Sequence, residues 1–284
     1  MEKVILVNKE KLKKKIKAIR KDGPEKLFVL SDFEGTLTKV FYCGKKRPSL
    51  ISILRSEKYL GENYSQKAKA LYEKYHPIEM DPRVPLKIKK EKMEEWWKTH
   101  YKLLKESGLK RYHLKKIITS KKIKLREKSD KFFNLLKGKS IPLIIFSSSG
   151  LGADLILMFL RKEKKLFDNV FVVGNVLKWD SKGKFIGSKE PIIHSLNKDG
   201  ETFKKFPAVF EKIKKRKNIL ILGNDIDDLL VTKGLNIKSS IKVGFLNEMV
   251  KELLEDYKKH FGLLILNDGT MDAVNEMLKN ILDE

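Results

Sequence analysis

Residues 31–40 read SDFEGTLTKV. It follows the apolar run KLFVL (residues 26–30), and Asp32 stands where that run stops. Glu34, a glycine and two threonines come directly after it. A short apolar run that ends in acids, glycine and hydroxyls is typical of a buried strand opening into a polar loop. The stretch therefore predicts a strand whose carboxyl end carries reactive side chains.

Downstream of residue 138, strand-like and helix-like segments alternate. Strands are predicted at residues 141–146, 170–173, 218–222, 241–243 and 263–266, and helices at residues 151–161, 201–215, 225–233, 247–259 and from 271 onward. Residues 177–187 (LKWDSKGKFIG) predict a β-hairpin around a Ser-Lys-Gly turn. Alternation of this kind indicates an α/β fold with a parallel sheet and helices on both faces.

The segment of residues 41–138 has a different character. It is charged and helix-like, and its proline-rich stretch HPIEMDPRVP (residues 76–85) predicts a break between helices. We therefore expect a core domain formed by residues 1–40 and 139–284, and an inserted, mostly helical cap domain formed by residues 41–138.

The net charge of +25 raises the question of a nucleic-acid partner. Only 8 of the 62 basic residues are arginine, the residue best suited to bidentate contacts with phosphates and base edges. The lysines are also spread over almost every helix-like segment. The composition therefore argues against nucleic acid as the principal partner, while the positive field would attract small anionic substrates.

The apolar runs are short, and none approaches the roughly 20 residues that a membrane span requires. The N-terminal residues have no apolar stretch of signal-peptide length. The single cysteine, Cys43, cannot form a disulfide within one chain. We therefore expect a cytoplasmic protein without membrane contacts, and we expect a monomer.

Polar side chains follow three of the predicted core strands at the point where each ends. The three groups are Asp32 and Glu34, the run FSSSG (residues 146–150), and the run GNDIDDL (residues 223–229). Lys189 follows the hairpin in GSKEP. Ligands of parallel sheets bind beyond the carboxyl ends of the strands. Carboxylates there suit Mg²⁺, and a lysine with exposed backbone N–H groups suits a phosphate.

The motifs DFEGTLT, FSSSG, Lys189 and GNDIDDL, in this order, resemble the four motifs of the haloacid dehalogenase (HAD) superfamily. Longer phrases, among them KYHPIEMDP, MEEWW, IIHSLNKDG and VGFLNEMVKELLEDY, are similar to the cytosolic 5′-nucleotidase III family, also called pyrimidine 5′-nucleotidases. The resemblance extends from about residue 15 to the C-terminus. It implies a HAD-like Rossmannoid core with a helical cap, and a Mg²⁺-dependent 5′-nucleotidase acting on nucleoside 5′-monophosphates of the pyrimidine type.

The resemblance also implies roles for individual residues. Asp32 matches the nucleophile that forms an aspartyl-phosphate, and Glu34 matches the general acid, whose backbone carbonyl ligates Mg²⁺. Lys189 is assigned to the lysine that pairs with the nucleophile and the phosphate. The other assigned positions are Ser147 and Ser148 for a phosphate oxygen, Asn224 and Asp228 for the metal together with Asp32, and Glu79 and Trp96 of the cap for the nucleobase.

Two positions depart from the family pattern, which has aspartate where this chain has Glu34 and Asn224. The extra methylene of Glu34 displaces a proton donor by about 1 Å, and errors of that size can cost about 100-fold in rate. Asn224 removes a negative charge from the metal site. Two alternatives therefore stay open: a HAD phosphatase acting on another small phosphomonoester, and a catalytically weakened nucleotide-binding protein.

Overall fold

The computed structural model describes residues 4–283; residues 1–3 and 284, which the predicted core domain includes, lie outside the described residues. The strands are β1 (Val4–Leu6), β2 (Leu27–Ser31), β3 (Phe41–Tyr42), β4 (Lys45–Lys46), β5 (Leu143–Phe146), β6 (Val170–Val173), β7 (Leu177–Trp179), β8 (Phe185–Ser188), β9 (Asn218–Gly223), β10 (Ser239–Leu246) and β11 (Leu263–Leu266). Seven of the described strands form one sheet in the order β1-β11-β10-β9-β2-β5-β6.

The central sheet is parallel except at one edge, so the predicted α/β fold class is confirmed. β1 pairs antiparallel with β11, and the other neighbours in the sheet are parallel. The sequence analysis did not predict β1, because its three apolar residues are too few to show a pattern of alternation. The predicted hairpin is present as β7 and β8.

The helices are α1 (Lys9–Asp22), α2 (Leu50–Ser56), α3 (Glu62–Met80), α4 (Leu86–Glu106), α5 (Arg111–Thr119), α6 (Ser129–Gly138), α7 (Gly152–Lys162), α8 (Gly200–Lys204), α9 (Pro207–Ile213), α10 (Val250–His260) and α11 (Asp272–Leu282). Short 3₁₀ helices cover Pro24–Lys26, Ser195–Asn197 and Ile226–Thr232. The helix predicted at residues 201–215 is divided into α8 and α9, because Pro207 lacks the N–H that would continue α8.

The position of β2 explains why its carboxyl end forms a site. β2 lies in the middle of the sheet between β9 and β5, and all five of its residues are buried. The Asp32 N–H donates to the Leu222 carbonyl of β9, at 3.0 Å. Because parallel strands end at the same edge, the loops after β2, β5 and β9 meet there.

The predicted cap is a helical layer next to that edge. α3 and α4 pack against each other, while α5 packs on α7 of the core. α6, which the prediction assigns to the cap, packs against α11 and so lies with the core helices. The domain boundaries of the sequence analysis stay a prediction. Among residues 4–283, no helix is long and apolar enough to cross a membrane.

Candidate active site

A cavity of about 290 Å³ lies at the carboxyl edge of the sheet, under the cap. Its lining combines carboxylates, hydroxyls, a lysine and one indole ring, from Asp32, Glu34, Ser147, Ser148, Ser149, Ser195, Lys198, Asn224, Asp228 and Trp97. The structure therefore brings together the predicted residues of the first, second and fourth motifs.

A buried lysine joins two of the carboxylates. The Lys198 ammonium donates to Oδ1 of Asp32 at 2.7 Å and to Oδ1 of Asp228 at 2.6 Å. Its side chain is 5% exposed. Burial lowers the pKa of Lys198, but the charges of Asp228 and Asp32 outweigh burial and raise it. Lys198 is therefore a fixed positive charge beside the predicted nucleophile.

The assignment of the third motif to Lys189 is corrected by this geometry. Lys189 is exposed directly after β8, and its backbone N–H donates to the carbonyl of Val176 at 2.8 Å. β7 and β8 form their own small sheet, separate from the parallel sheet whose carboxyl ends form the site. After Lys189 the chain runs back from this small sheet toward the carboxyl edge of the parallel sheet. Lys198 is the lysine that contacts Asp32 there. The signal in the sequence was the phrase IIHSLNKDG, which contains Lys198 and was already part of the family resemblance.

Asp32 is 8% exposed. Burial raises the pKa of Asp32. The charge of Lys198 lowers this pKa and the charge of Asp228 raises it, so that its value is about 6. Because it is buried, the Asp32 carboxylate is poorly solvated. It is ionised at neutral pH beside the Lys198 ammonium. Both conditions favour nucleophilic attack on a phosphoryl group.

Glu34 is half-buried and lies against the cap. Its Oε2 accepts the backbone N–H of Leu50, at the start of α2, at 2.8 Å. Burial raises the pKa of Glu34 to about 7, with the Leu50 N–H opposing and the Asp32 charge adding to the shift. Glu34 can therefore hold or release a proton near neutral pH, as a general acid and base requires.

The end of the Asn224 side chain faces three oxygens, which belong to the Glu34 carbonyl, the Asp32 carboxylate and the Thr36 hydroxyl. The end of its side chain is 2.9 Å from the Glu34 carbonyl oxygen and 3.2 Å from Oδ2 of Asp32. In one orientation of the amide, the NH₂ group donates to both oxygens. In the other orientation the amide oxygen accepts from the Thr36 hydroxyl and faces the same two oxygens without a proton between them.

This arrangement fits Mg²⁺. Oxygens about 2.0–2.1 Å from an octahedral Mg²⁺ are about 3 Å from one another, which agrees with the distances from Asn224 to the Glu34 carbonyl and to Asp32. Within residues 4–283, no group of three or more His, Cys, Asp or Glu side chains could hold a metal. The candidate donor set therefore depends on one carboxylate, one amide and one main-chain carbonyl.

The structure places Asp228 as a partner of Lys198 and of the backbone more than as a direct metal ligand. Its Oδ1 accepts from Lys198, and its Oδ2 accepts the N–H groups of Asn224 and Asp225, both at 3.1 Å. Both oxygens are thus engaged. Asp228 holds the loop after β9 in the shape that presents Asn224.

The serine run after β5 forms a turn at the floor of the cavity. Ser147 accepts the Ser149 N–H at 3.2 Å and is buried, while Ser148 is half-buried. The Ser149 hydroxyl is buried without a hydrogen-bond partner among the described residues. The sequence analysis did not select Ser149, whose free hydroxyl suits a phosphate oxygen as well as those of Ser147 and Ser148 do.

The cap contributes aromatic rings, but not in the predicted way. Trp96 is 9% exposed and stacks between Tyr75 and Trp97, with ring centroids 5.7 and 5.9 Å apart. Trp97 lines the cavity in its place. A Cβ atom on Gly150 would lie 2.1 Å from the Trp97 ring, so only glycine allows the ring to pack over the serine turn.

Glu79, which the sequence analysis assigns to the nucleobase, contacts Ser195 of the cavity lining but is not among the residues that line the cavity. Its Oε1 accepts the Ser195 hydroxyl at 2.5 Å, and its Oε2 lies 3.3 Å from Nδ1 of His76. Its side chain is 21% exposed.

Arg126, which the sequence analysis did not select, stabilises the loop that follows β2. Its buried guanidinium donates to the carbonyls of Gly35 and Thr36, both at 2.6 Å, and pairs with Asp268 at 3.1 Å. Asp268 in turn accepts the N–H groups of Val40 and Phe41, both at 2.9 Å. This network fixes the loop that carries Asp32 and Glu34. No local pattern marks it, because its members are far apart in the chain.

Comparisons with known proteins agree with this geometry. The pyrimidine 5′-nucleotidase (UMPH-1) family matches residues 35–282. The chain is 34% identical over 266 residues to the human 7-methylguanosine phosphate-specific 5′-nucleotidase, covering 93% of this chain and 88% of that protein. It is also 34% identical over 271 residues to form A of that enzyme from Xenopus laevis, covering 95% and 92% of the two chains.

A solved structure shows the same architecture. Cytosolic 5′-nucleotidase IIIB bound to cytidine superposes with a TM-score of 0.88 at 28% identity, covering 99% of this chain and 94% of that one. The match therefore includes the predicted cap, residues 41–138, as well as the rest of the chain. From the family match, the relatives and this superposition, we conclude that the chain belongs to the pyrimidine 5′-nucleotidase (UMPH-1) family.

Proposed function

We propose that the protein is a Mg²⁺-dependent 5′-nucleotidase that hydrolyses nucleoside 5′-monophosphates to nucleoside and phosphate. The observation that carries the proposal is the position of Asp32, buried beside Lys198 at the floor of a cavity that the cap covers. Family membership supports the reaction type.

In the first step, Asp32 attacks the phosphorus in line, and the bond to the 5′-oxygen breaks. Lys198 stabilises the charge on the transferring group, and the serine turn binds the other phosphate oxygens. Glu34 donates its proton to the departing 5′-oxygen. The N–H of Leu50 holds its Oε2, which leaves Oε1 for that transfer.

In the second step, Glu34 has become a base. It removes a proton from water, and the resulting hydroxide attacks the phosphorus of the aspartyl-phosphate, which releases phosphate and regenerates Asp32. Asp32, the Glu34 carbonyl and Asn224 would hold Mg²⁺, which supplies positive charge to the phosphate when bound. With the cap closed, bulk water is excluded from the intermediate.

The cap offers a site for a nucleobase. Trp97 provides a flat apolar surface along the cavity, and Glu79 provides a carboxylate for base N–H groups. An aromatic face and a carboxylate together favour a base that carries positive charge, as 7-methylguanine does. We therefore propose 7-methylguanosine 5′-monophosphate as the first substrate to test, as the names of the relatives suggest, with the pyrimidine nucleoside monophosphates of the family name for comparison.

The test is phosphate release from CMP, UMP, AMP, GMP and 7-methyl-GMP at several Mg²⁺ concentrations, with Asp32→Asn as the control. Turnover that requires Mg²⁺ and disappears in the variant supports the proposal. Equal phosphate release by Asp32→Asn would refute it. A higher kcat/KM on a sugar or amino-acid phosphate would favour a different phosphomonoester as substrate.

The amide at Asn224 favours one further candidate function, a nucleotide-binding protein with weakened catalysis, because the amide brings no negative charge to the metal. Nucleotide binding by calorimetry without turnover would support that candidate, and a burst of phospho-enzyme would exclude it. We also propose a monomer that acts in the cytosol; a relative from Caenorhabditis elegans, 24% identical, bears the name putative cytosolic 5′-nucleotidase 3.

A further inference from the structure

One short stretch of chain, residues 195–199, joins the cap to the catalytic site; we refer to it as the coupling segment. It begins as the 3₁₀ helix Ser195–Asn197 and continues through Lys198 to Asp199, the N-cap residue of α8. Its side chains divide between two destinations, the cap and the catalytic carboxylates.

Three side chains of the coupling segment contact the cap. The Ser195 hydroxyl donates to Oε1 of Glu79 at 2.5 Å. Leu196 is 6% exposed and belongs to an apolar cluster with cap residues Tyr75, Met93 and Trp96. Asp199 forms an ion pair with Lys90 of α4 at 3.7 Å.

A fourth side chain of the coupling segment points the other way. Lys198 donates to Asp32 and to Asp228, as described above. Only Leu196 and Asn197 separate it from Ser195. The cap therefore rests on the piece of chain that carries the catalytic ammonium.

The coupling segment is stiff enough to transmit a displacement. The Asn197 side chain accepts the His194 N–H at 2.8 Å and donates to the Ile192 carbonyl at 2.9 Å. The Asp199 side chain accepts the Thr202 N–H at 2.8 Å and so ties the end of the segment to α8. A shift at Ser195 or Leu196 is then passed on to Lys198, because the backbone between them has few ways to absorb it.

We infer that Ser195 and Leu196 are positioning residues through which the cap, when it holds a nucleobase, sets the position of Lys198 for phosphoryl transfer. The inference rests on the proposed function. Oε1 of Glu79 accepts the Ser195 hydroxyl, and Oε2 lies 3.3 Å from Nδ1 of His76. The proposed function assigns this second oxygen to a base N–H group. A base bound at Oε2 therefore orients the same carboxylate that holds Ser195. Base recognition then raises kcat as well as affinity.

A base-free substrate separates this role from simpler ones. Ribose 5-phosphate carries the phosphoryl group but has no base for the cap. Wild-type kcat should be higher on the preferred nucleotide than on ribose 5-phosphate. Ser195→Ala should lower kcat on the nucleotide by about 10- to 100-fold, the cost of a misplacement of up to 1 Å. The kcat on ribose 5-phosphate should fall by a clearly smaller factor, since that substrate has no base to orient Glu79 through its bond to Ser195.

Matched variants control for structure. Ser195→Thr keeps the hydroxyl and should restore the nucleotide kcat. Ser65→Ala removes a buried hydroxyl that donates to the Arg55 carbonyl inside the cap, and it should leave the ratio of the two kcat values unchanged. Leu196→Ala should lower the ratio, while Leu103→Ala, in α4 but in a different apolar cluster, should not.

The outcomes are distinct. Parallel loss of kcat on both substrates in Ser195→Ala would mean that the hydroxyl contacts the phosphate or only supports the fold, and would overturn the inference. Equal wild-type kcat on the nucleotide and on ribose 5-phosphate would overturn it as well. In both cases wild-type turnover of nucleotides leaves the proposed function standing. No wild-type turnover of any nucleotide would refute the proposed function itself, and the inference with it.

Discussion

Replacing Glu34 with glutamine tests the electrostatics of the site in the absence of substrate. Burial raises the pKa of Glu34 from 4.5 to about 7. The native state therefore holds a proton that the unfolded chain releases, so the ionised carboxylate costs stability as the pH rises from about 4.5 to about 7. The cost is constant above that range. Glutamine keeps an acceptor for the Leu50 N–H but cannot ionise.

The shift of about 2.5 pH units corresponds to about 3 kcal/mol, at about 1.4 kcal/mol for each unit. At pH 5 only about 1 kcal/mol of this cost is present, and at pH 8 nearly all of it is. We therefore expect Glu34→Gln to raise the free energy of unfolding, relative to the wild type, by about 2 kcal/mol more at pH 8 than at pH 5.

The assay is urea unfolding followed by tryptophan fluorescence at both pH values, with EDTA present so that no metal binds. Glu106→Gln, at an exposed position on α4, removes the same charge. Its change in the free energy of unfolding should be the same at pH 5 and pH 8. An equal gain for Glu34→Gln at pH 5 and pH 8 would mean that Glu34 is solvated in the native protein, and the reasoning would fail. In the active enzyme, Glu34→Gln should lower kcat by about 10²- to 10⁴-fold, the usual contribution of a general acid.

Three further predictions concern other parts of the site. Lys198→Met should abolish phosphate release, because Asp32 loses its counter-charge, while Lys189→Met at the surface should keep normal kcat; the same phosphate assay checks both. Asn224→Asp should restore a carboxylate to the metal site and lower the Mg²⁺ concentration for half-maximal activity by about 10-fold, measured by titration; an unchanged value would show that the amide is not a ligand. Arg126→Met should lower the free energy of unfolding by about 3–5 kcal/mol in a urea titration, since it leaves Asp268 as an uncompensated buried charge; a loss below about 1 kcal/mol would contradict the role given to this network.

Features of the protein that depend on a local pattern could be predicted from the amino-acid sequence. Strand–helix alternation after residue 138 predicted the parallel sheet, because buried strands and amphipathic helices have different periods. The acids after the first core strand, the serine run and the GNDIDDL loop marked the edge of the sheet that forms the site, because a buried strand can place polar groups only where it ends. The cap phrases indicated the family.

Contacts between residues far apart in the chain could not be predicted and became visible in the folded protein. Lys198, rather than Lys189, reaches Asp32, and Trp97, rather than Trp96, lines the cavity. Trp96 and Trp97 are neighbours of the same type, and only the face that the helix presents separates them. The choice of Lys198 depends on where the chain returns to the edge of the sheet, and in the sequence only the family phrase IIHSLNKDG marks it. Arg126, Asp268 and the coupling segment act through contacts between residues far apart in the chain. Such contacts follow from packing, which the order of residues along the chain does not display.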